Sequence, residues 1–391
     1  MNRVKNNTWA IANNIDKRIP YKPSNNLIQN KVILFPSKPE GYRSEAELLD
    51  EVRFYIHRYV NVSPEFERIA ATYVLLTWLY DRFDELPYLR VRGDYGTGKT
   101  RFLLIVGSIC YKPIFASGAS TISPLFHLLD TFKGTLIIDE ADFRLSDEKA
   151  DVVKILNNGN VRGMPILRTR QTREGEYDPR AFQVFGPKLL ATRGQYQDRA
   201  LESRFISEAM GTRSLRKDVP ITLPARQRQE ALSLRNKLLM FRFHNYHRKQ
   251  TKPHLFDEAV EPRIRQIFVS LISITDDLEL QHELSELATA FSEQIKADRG
   301  MQIEARLLEA IRNSDLSVKS ITEIFAKRHG TEYQAVTYRW IGGLIRRKLQ
   351  INTHKSNGVY IIPNEEIPKL EALYQRYGIE RPDITFEPLD N

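Results

Sequence analysis

The run Gly93-Asp94-Tyr95-Gly96-Thr97-Gly98-Lys99-Thr100 follows a short apolar stretch, Tyr88-Leu89-Arg90-Val91. A strand, then G-x-x-x-x-G-K-T, then a helix is the arrangement that cradles the phosphates of a nucleotide. Glycine at 93, 96 and 98 lets the backbone curl with its N–H groups inward, since glycine tolerates positive φ. A helix starting near Lys99 adds its unpaired N–H groups and positive dipole end to the same hollow. Lys99 then reaches the β- and γ-phosphates, and the Thr100 hydroxyl ligates Mg²⁺. Further along, Thr135-Leu136-Ile137-Ile138-Asp139-Glu140 reads as a buried strand ending in two carboxylates. Asp139 is expected to hold the Mg²⁺ through water and Glu140 to polarise the attacking water. The two motifs together specify hydrolysis of a nucleoside triphosphate, with ATP and Mg²⁺ as the expected ligands.

These residues need a frame. From residue 86 to about 212, apolar strands alternate with helices: strands at 113–116, 135–139, 188–192 and 205–209, helices at 123–132 and 146–156. That alternation predicts an α/β fold, a mostly parallel sheet covered by helices, with ligands at the carboxyl ends of the strands. One insertion interrupts it. Pro165-Ile166-Leu167-Arg168-Thr169-Arg170 and Arg180-Ala181-Phe182-Gln183-Val184-Phe185 read as a hairpin, with Arg173 at its tip. Arg168, Arg170 and Arg173 could grip DNA phosphates or line a solvated strand face.

Residues 1–40, rich in Asn, Lys and Pro, read as a flexible arm or linker, and amphipathic helices at 46–60 and 64–83 place a helical lid at residues 41–85. A long arginine-rich helical stretch at 225–247 and a second helix from Pro262 fill residues 213–300. Residues 301–365 change character. Three amphipathic helices and an Asn357-Gly358 turn between two short strands predict a C-terminal winged-helix domain. Its third helix carries Arg339, Arg346 and Arg347, suited either to duplex DNA or to a protein partner. Residues 366–391 read as a tail.

Composition narrows the class. Hydrophobic content of 41% and charged content of 27% are ordinary for a globular protein. No apolar run is long enough to cross a bilayer, and the first residues carry no apolar signal core, so a cytoplasmic location is expected. The single cysteine, Cys110, excludes an intramolecular disulfide and any cysteine-built zinc site. A net charge of +9 is compatible with a polyanionic partner.

The order of motifs resembles the AAA+ ATPases, and within them the replicative helicases of the minichromosome maintenance (MCM) type and their relatives in phages, plasmids and mobile elements. Lys188-Leu189-Leu190-Ala191-Thr192 falls where the sensor-1 strand lies in that family, which implies that Thr192 orients the water; threonine there departs from the family's usual asparagine. Ala200-Leu201-Glu202-Ser203-Arg204-Phe205 matches the run whose arginine is the finger, which implies Arg204. Glu261-Pro262-Arg263 opens a helix as the sensor-2 helix does, which implies that Arg263 contacts nucleotide. The hairpin corresponds to the pre-sensor-1 hairpin that contacts DNA in that group. The resemblance thus implies a ring-forming homo-oligomer, a hexamer, acting as an ATP-dependent DNA helicase or translocase on single-stranded or forked DNA, with a loader or primase as a further partner. Two other readings remain open: an ATP-dependent initiator or loader, and an ATP-switched DNA-binding regulator.

Overall fold

The computed structural model describes residues 2–4, 8–10, 17–18, 25–117, 123–142, 147–171, 177–196, 198–252, 260–300, 303–333, 335–356 and 358–379. The chain forms two compact units, Met1–Glu286 and Leu287–Asn391.

In the first unit, short strands β1 (Asn2–Val4), β2 (Thr8–Ala10) and β3 (Lys17–Arg18) pair antiparallel. A single-turn helix, α1 (Asn26–Gln29), follows, capped by the Asn25 side chain. Residues 25–40 correct the expectation of a flexible arm. Ile33 is buried in the core beside Leu27, Val32 and Phe35. The Phe115 N–H donates to the Val32 carbonyl at 3.0 Å, and the Leu34 N–H to the Pro113 carbonyl at 3.4 Å. This segment therefore covers the outer edge of the main sheet, whose backbone groups would otherwise be open to another chain.

Helices α2 (Glu45–Tyr59) and α3 (Pro64–Leu79) begin at serine caps, where the Ser44 and Ser63 hydroxyls each accept a backbone N–H at 3.1 Å. They are not a lid. Every residue of α3 from Ile69 to Leu79 is buried, and a helix apolar on all sides belongs in the interior. Trp78 Nε1 donates to the Ile109 carbonyl at 3.0 Å, fastening α3 to the core.

The core runs β4 (Tyr88–Arg92), α4 (Lys99–Ile109), β5 (Ile114–Ser117), α5 (Ser123–Phe132), β6 (Leu136–Asp139), α6 (Asp147–Asn158), hairpin strands β7 (Ile166–Gln171) and β8 (Tyr177–Phe182), β9 (Lys188–Thr192), α7 (Arg199–Glu202) and β10 (Phe205–Ala209). Five strands form one parallel sheet in the order β10-β4-β9-β6-β5. Its inner strands are apolar runs buried on both faces, as a parallel sheet with helices on each side requires. Leu136, Ile138 and Leu190 pack on α5, α6 and the base of the hairpin, while α4 lies against β4, β6 and β9. Helices α8 (Arg226–Asn245) and α9 (Pro262–Ser273) follow, α8 packing on α2, α3 and α4. Helix α10 (Leu278–Gly300) runs across the division between the units.

The second unit contains α11 (Ile303–Arg312), α12 (Val318–His329), α13 (Tyr338–Arg347), the antiparallel strands β11 (His354–Ser356) and β12 (Val359–Ile361), and α14 (Ile367–Tyr377). Leu307, Ile311, Ile321, Phe325, Ile341 and Ile345 form its core. Part of the expected tail is structured: Leu370 of α14 is buried there, with Leu373, Tyr374 and Tyr377 packed against it. Asn357 of the expected turn lies outside the described residues; Gly358 has a φ of 86°. Among the described residues no helix is long and apolar enough to cross a membrane.

Candidate nucleotide site

The hollow is built by the end of β4 and the start of α4. Gly98, the N-cap of α4, has φ 92° and no capping side chain, so the first N–H groups of the helix face the loop without a partner from the cap. At Gly93 a Cβ would lie 2.6 Å from the Met210 carbonyl oxygen and 2.9 Å from Thr97 Oγ1, so only glycine fits. Met210, just beyond β10, thus forms the back of the loop, a contact that no sequence motif announces.

The β6 strand delivers the carboxylates to this loop. Thr100 Oγ1 donates to Asp139 Oδ2 at 2.6 Å. Lys99 Nζ donates to the carbonyls of Gly93 and Asp94, each at 2.7 Å. A hydroxyl and a carboxylate in contact at the end of a phosphate hollow are an oxygen-donor pair suited to Mg²⁺, which keeps few protein ligands and completes its shell with phosphate and water. Among the described residues no group of three or more His, Cys, Asp or Glu is placed to hold a metal by itself. Glu140 is exposed at the strand's end, with φ 54°, and its N–H donates to Asp139 Oδ1 at 2.9 Å. The structure therefore brings Gly93, Asp94, Tyr95, Gly96, Thr97, Gly98, Lys99, Thr100, Asp139 and Glu140 into one place.

Thr192 lies beside them. It pairs with Arg92, and its carbonyl accepts the Gly93 N–H at 3.2 Å. Its hydroxyl, however, is buried and donates to the Gly194 carbonyl at 2.9 Å. Its one hydroxyl hydrogen is committed to its own turn, so toward a water Thr192 offers only the hydroxyl's acceptor lone pairs. The neighbouring Arg193 is the residue the sequence reading missed. Its guanidinium carbon stands 4.3 Å from the ring centroid of Tyr95.

Arg204 and Arg263 sit elsewhere. Arg204 immediately precedes β10, whose first residue pairs with Tyr88, the first of β4. The phosphate loop begins after the last residue of β4, Arg92, so Arg204 is about 16 Å of strand away from it. Arg204 Nε donates to Asn160 Oδ1 and Nη1 to Asn157 Oδ1, both at 2.9 Å, holding the half-buried guanidinium at the end of α6. Burial, and then the nearby Arg263 charge, lowers the Arg204 pKa from its ordinary value. Arg263, in the first turn of α9, donates from Nη1 to Gln266 Oε1 at 3.4 Å.

The hairpin is present, but Arg168 does not project from it. Its guanidinium is ion-paired with Asp151 of α6 and lies 3.9 Å from the Phe126 ring centroid. A carboxylate and a ring on the protein body thus hold this partly exposed side chain. The Arg170 side chain and all of Arg173 lie outside the described residues. The outward side of the hairpin shows Leu167 and Tyr177, 69% and 75% exposed. In the second unit Arg339, Arg346 and Arg347 are exposed on α13. Arg346 Nη1 donates to Thr353 Oγ1 at 3.0 Å, next to β11.

No known family model matches this chain, and no curated protein matches it. Solved structures do. The apo C-terminal region (305–718) of NrS-1 is 14% identical with a TM-score of 0.41, over 92% of this chain and 82% of that one. A full-length MCM homolog from Methanopyrus kandleri is 12% identical with a TM-score of 0.39, over 66% of this chain and 63% of that one. The active helicase SCCmec type IV Cch is 12% identical with a TM-score of 0.37, over 83% and 68%. These scores are too low to bear on activity, which the site's own geometry must carry.

Proposed function

We propose that the chain is a Mg²⁺-dependent ATPase that works as a ring of identical subunits, with DNA as its track. The contact between Thr100 and Asp139 carries the first part of this reading, because it joins the phosphate loop to the acidic strand. Lys99 exchanges its two loop carbonyls for phosphate oxygens when nucleotide enters. Thr100 and Asp139 would hold Mg²⁺, which would supply charge neutralisation for the phosphates. Glu140 accepts a proton from the attacking water, and Asp139 and Thr100 fix the geometry around it.

Placement of Arg204 supports the ring. It stands too far from its own loop to serve it, so the only nucleotide within its reach is one held by another copy. The Arg263 charge disfavours the charge on Arg204, and a bound phosphate offsets both. Arg204 and Arg263 are therefore assigned together to the neighbour's nucleotide. Strand separation on forked DNA completes the reading, with the hairpin and the α13 arginines as DNA contacts. It is tested by fork unwinding with ATP and with a slowly hydrolysed analogue. Unwinding only with ATP supports a helicase; ATP hydrolysis with DNA binding but no strand separation favours a loader.

A further inference from the structure

Arg193 follows the last residue of β9, the strand hydrogen-bonded to both β4 and β6. It therefore stands at the carboxyl end of the sheet between the phosphate loop and the acidic strand. On one side lies Tyr95, a loop residue 75% exposed, whose ring centroid is 4.3 Å from the guanidinium carbon. On the other lies Asp142, close behind Glu140 in the chain. The Arg193 N–H donates to Asp142 Oδ1 at 2.7 Å, which fixes the backbone, while the side-chain Nε is 3.9 Å from Asp142 Oδ2. A charge-assisted hydrogen bond is about 2.7–2.9 Å long, so this ion pair is loose. The anchoring is thus strong at the backbone and weak at the guanidinium. The fork of donors rests against an aromatic face and is not consumed by a close carboxylate.

We infer that Arg193 reads the terminal phosphate of the nucleotide held in its own chain, and so distinguishes a triphosphate from a diphosphate. The inference rests on the proposed nucleotide site and adds a binding role to a residue outside both sequence motifs. Turning from Tyr95 toward the loop brings the guanidinium between the phosphates bound by Lys99 and the water polarised by Glu140. A planar fork matches the oxygens of a terminal phosphate, whereas ADP presents none at that position. The buried hydroxyl of Thr192, committed to Gly194, leaves this role to the next residue.

The test is equilibrium binding of ADP and of a non-hydrolysable ATP analogue, with Mg²⁺, to the wild type and to Arg193→Ala, Arg193→Lys and Lys99→Ala. Loss of one charge-assisted contact should weaken the triphosphate by about 10-fold to 100-fold in Arg193→Ala. ADP affinity should stay within about twofold, since no contact to its phosphates is removed. Arg193→Lys keeps the charge without the fork and should recover part of the loss, and serves if the alanine variant is poorly folded. Equal weakening of both nucleotides, or no change in either, overturns the assignment of Arg193. Wild-type affinity for both in Lys99→Ala would instead overturn the nucleotide site itself, so the two failures are distinguishable.

Discussion

Glu140 holds a left-handed backbone, φ 54°, that costs a non-glycine residue roughly 1–2 kcal/mol. Strain of this kind persists where surrounding structure enforces it, and here it turns the carboxylate out at the end of β6. Glu140→Gln should therefore bind ATP normally and lose hydrolysis by about 10²-fold to 10⁴-fold, measured as binding and turnover on the same preparation. Lys188 gives a second prediction. It is buried, donates to the carbonyls of Gly159, Val184 and Gly186, and is pulled by burial from 10.5 to about 7. Between these values the unfolded chain binds more protons than the folded one, so this group makes stability rise with pH. The window closes near pH 9, where the buried Cys110 thiol, pushed up from 9.0 to about 12, acts in the opposite sense. Denaturant melts between pH 7 and 9 should show a positive slope that is reduced in Lys188→Met. At this scale the phosphate and carboxylate residues were legible because their chemistry demands fixed types at fixed spacing. Thr192 and Arg193 were not, since no spacing tells which way a hydroxyl turns or what a lone arginine lies against.

Helix α6 connects regions of different chemistry. It enters from the side of Asp139 and Glu140 and ends, after twelve residues, where Asn157 holds Arg204. The link beyond it is tied to the start of the sheet, with the Leu86 N–H donating to the Asn160 carbonyl at 2.9 Å. Its side also anchors the hairpin through the Asp151–Arg168 pair. Arg168→Ala should thus loosen the hairpin's seat, destabilising the protein by about 1–2 kcal/mol from a partly exposed pair and a ring contact. DNA affinity should change little at moderate salt. A large loss of DNA affinity with unchanged stability would return Arg168 to a direct phosphate contact. Alternation of strand and helix made these elements readable, and so did the period of the apolar residues. Their partners were not readable. Arg168 looks like a surface charge until Asp151 and Phe126 are placed beside it, and the apolar run Val32-Ile33-Leu34-Phe35 does not say which strand it pairs with.

The whole chain contains two units with separate cores, and a fragment of residues 287–391 should fold cooperatively on its own in a thermal melt. In the larger unit the phosphate loop and Arg204 occupy opposite ends of the same sheet, which no linear motif could reveal. In the proposed reading, that separation makes catalysis a property of the assembly. The direct measurement is ATP hydrolysis by a subunit-exchanging mixture of Lys99→Ala and Arg204→Ala proteins, each of which should be inactive alone. Some interfaces in the mixture pair an intact Lys99 with an intact Arg204, so activity should reappear and peak at intermediate ratios. A mixture as inactive as its parts, or an Arg204→Ala protein that hydrolyses ATP at the wild-type rate, would contradict the shared site.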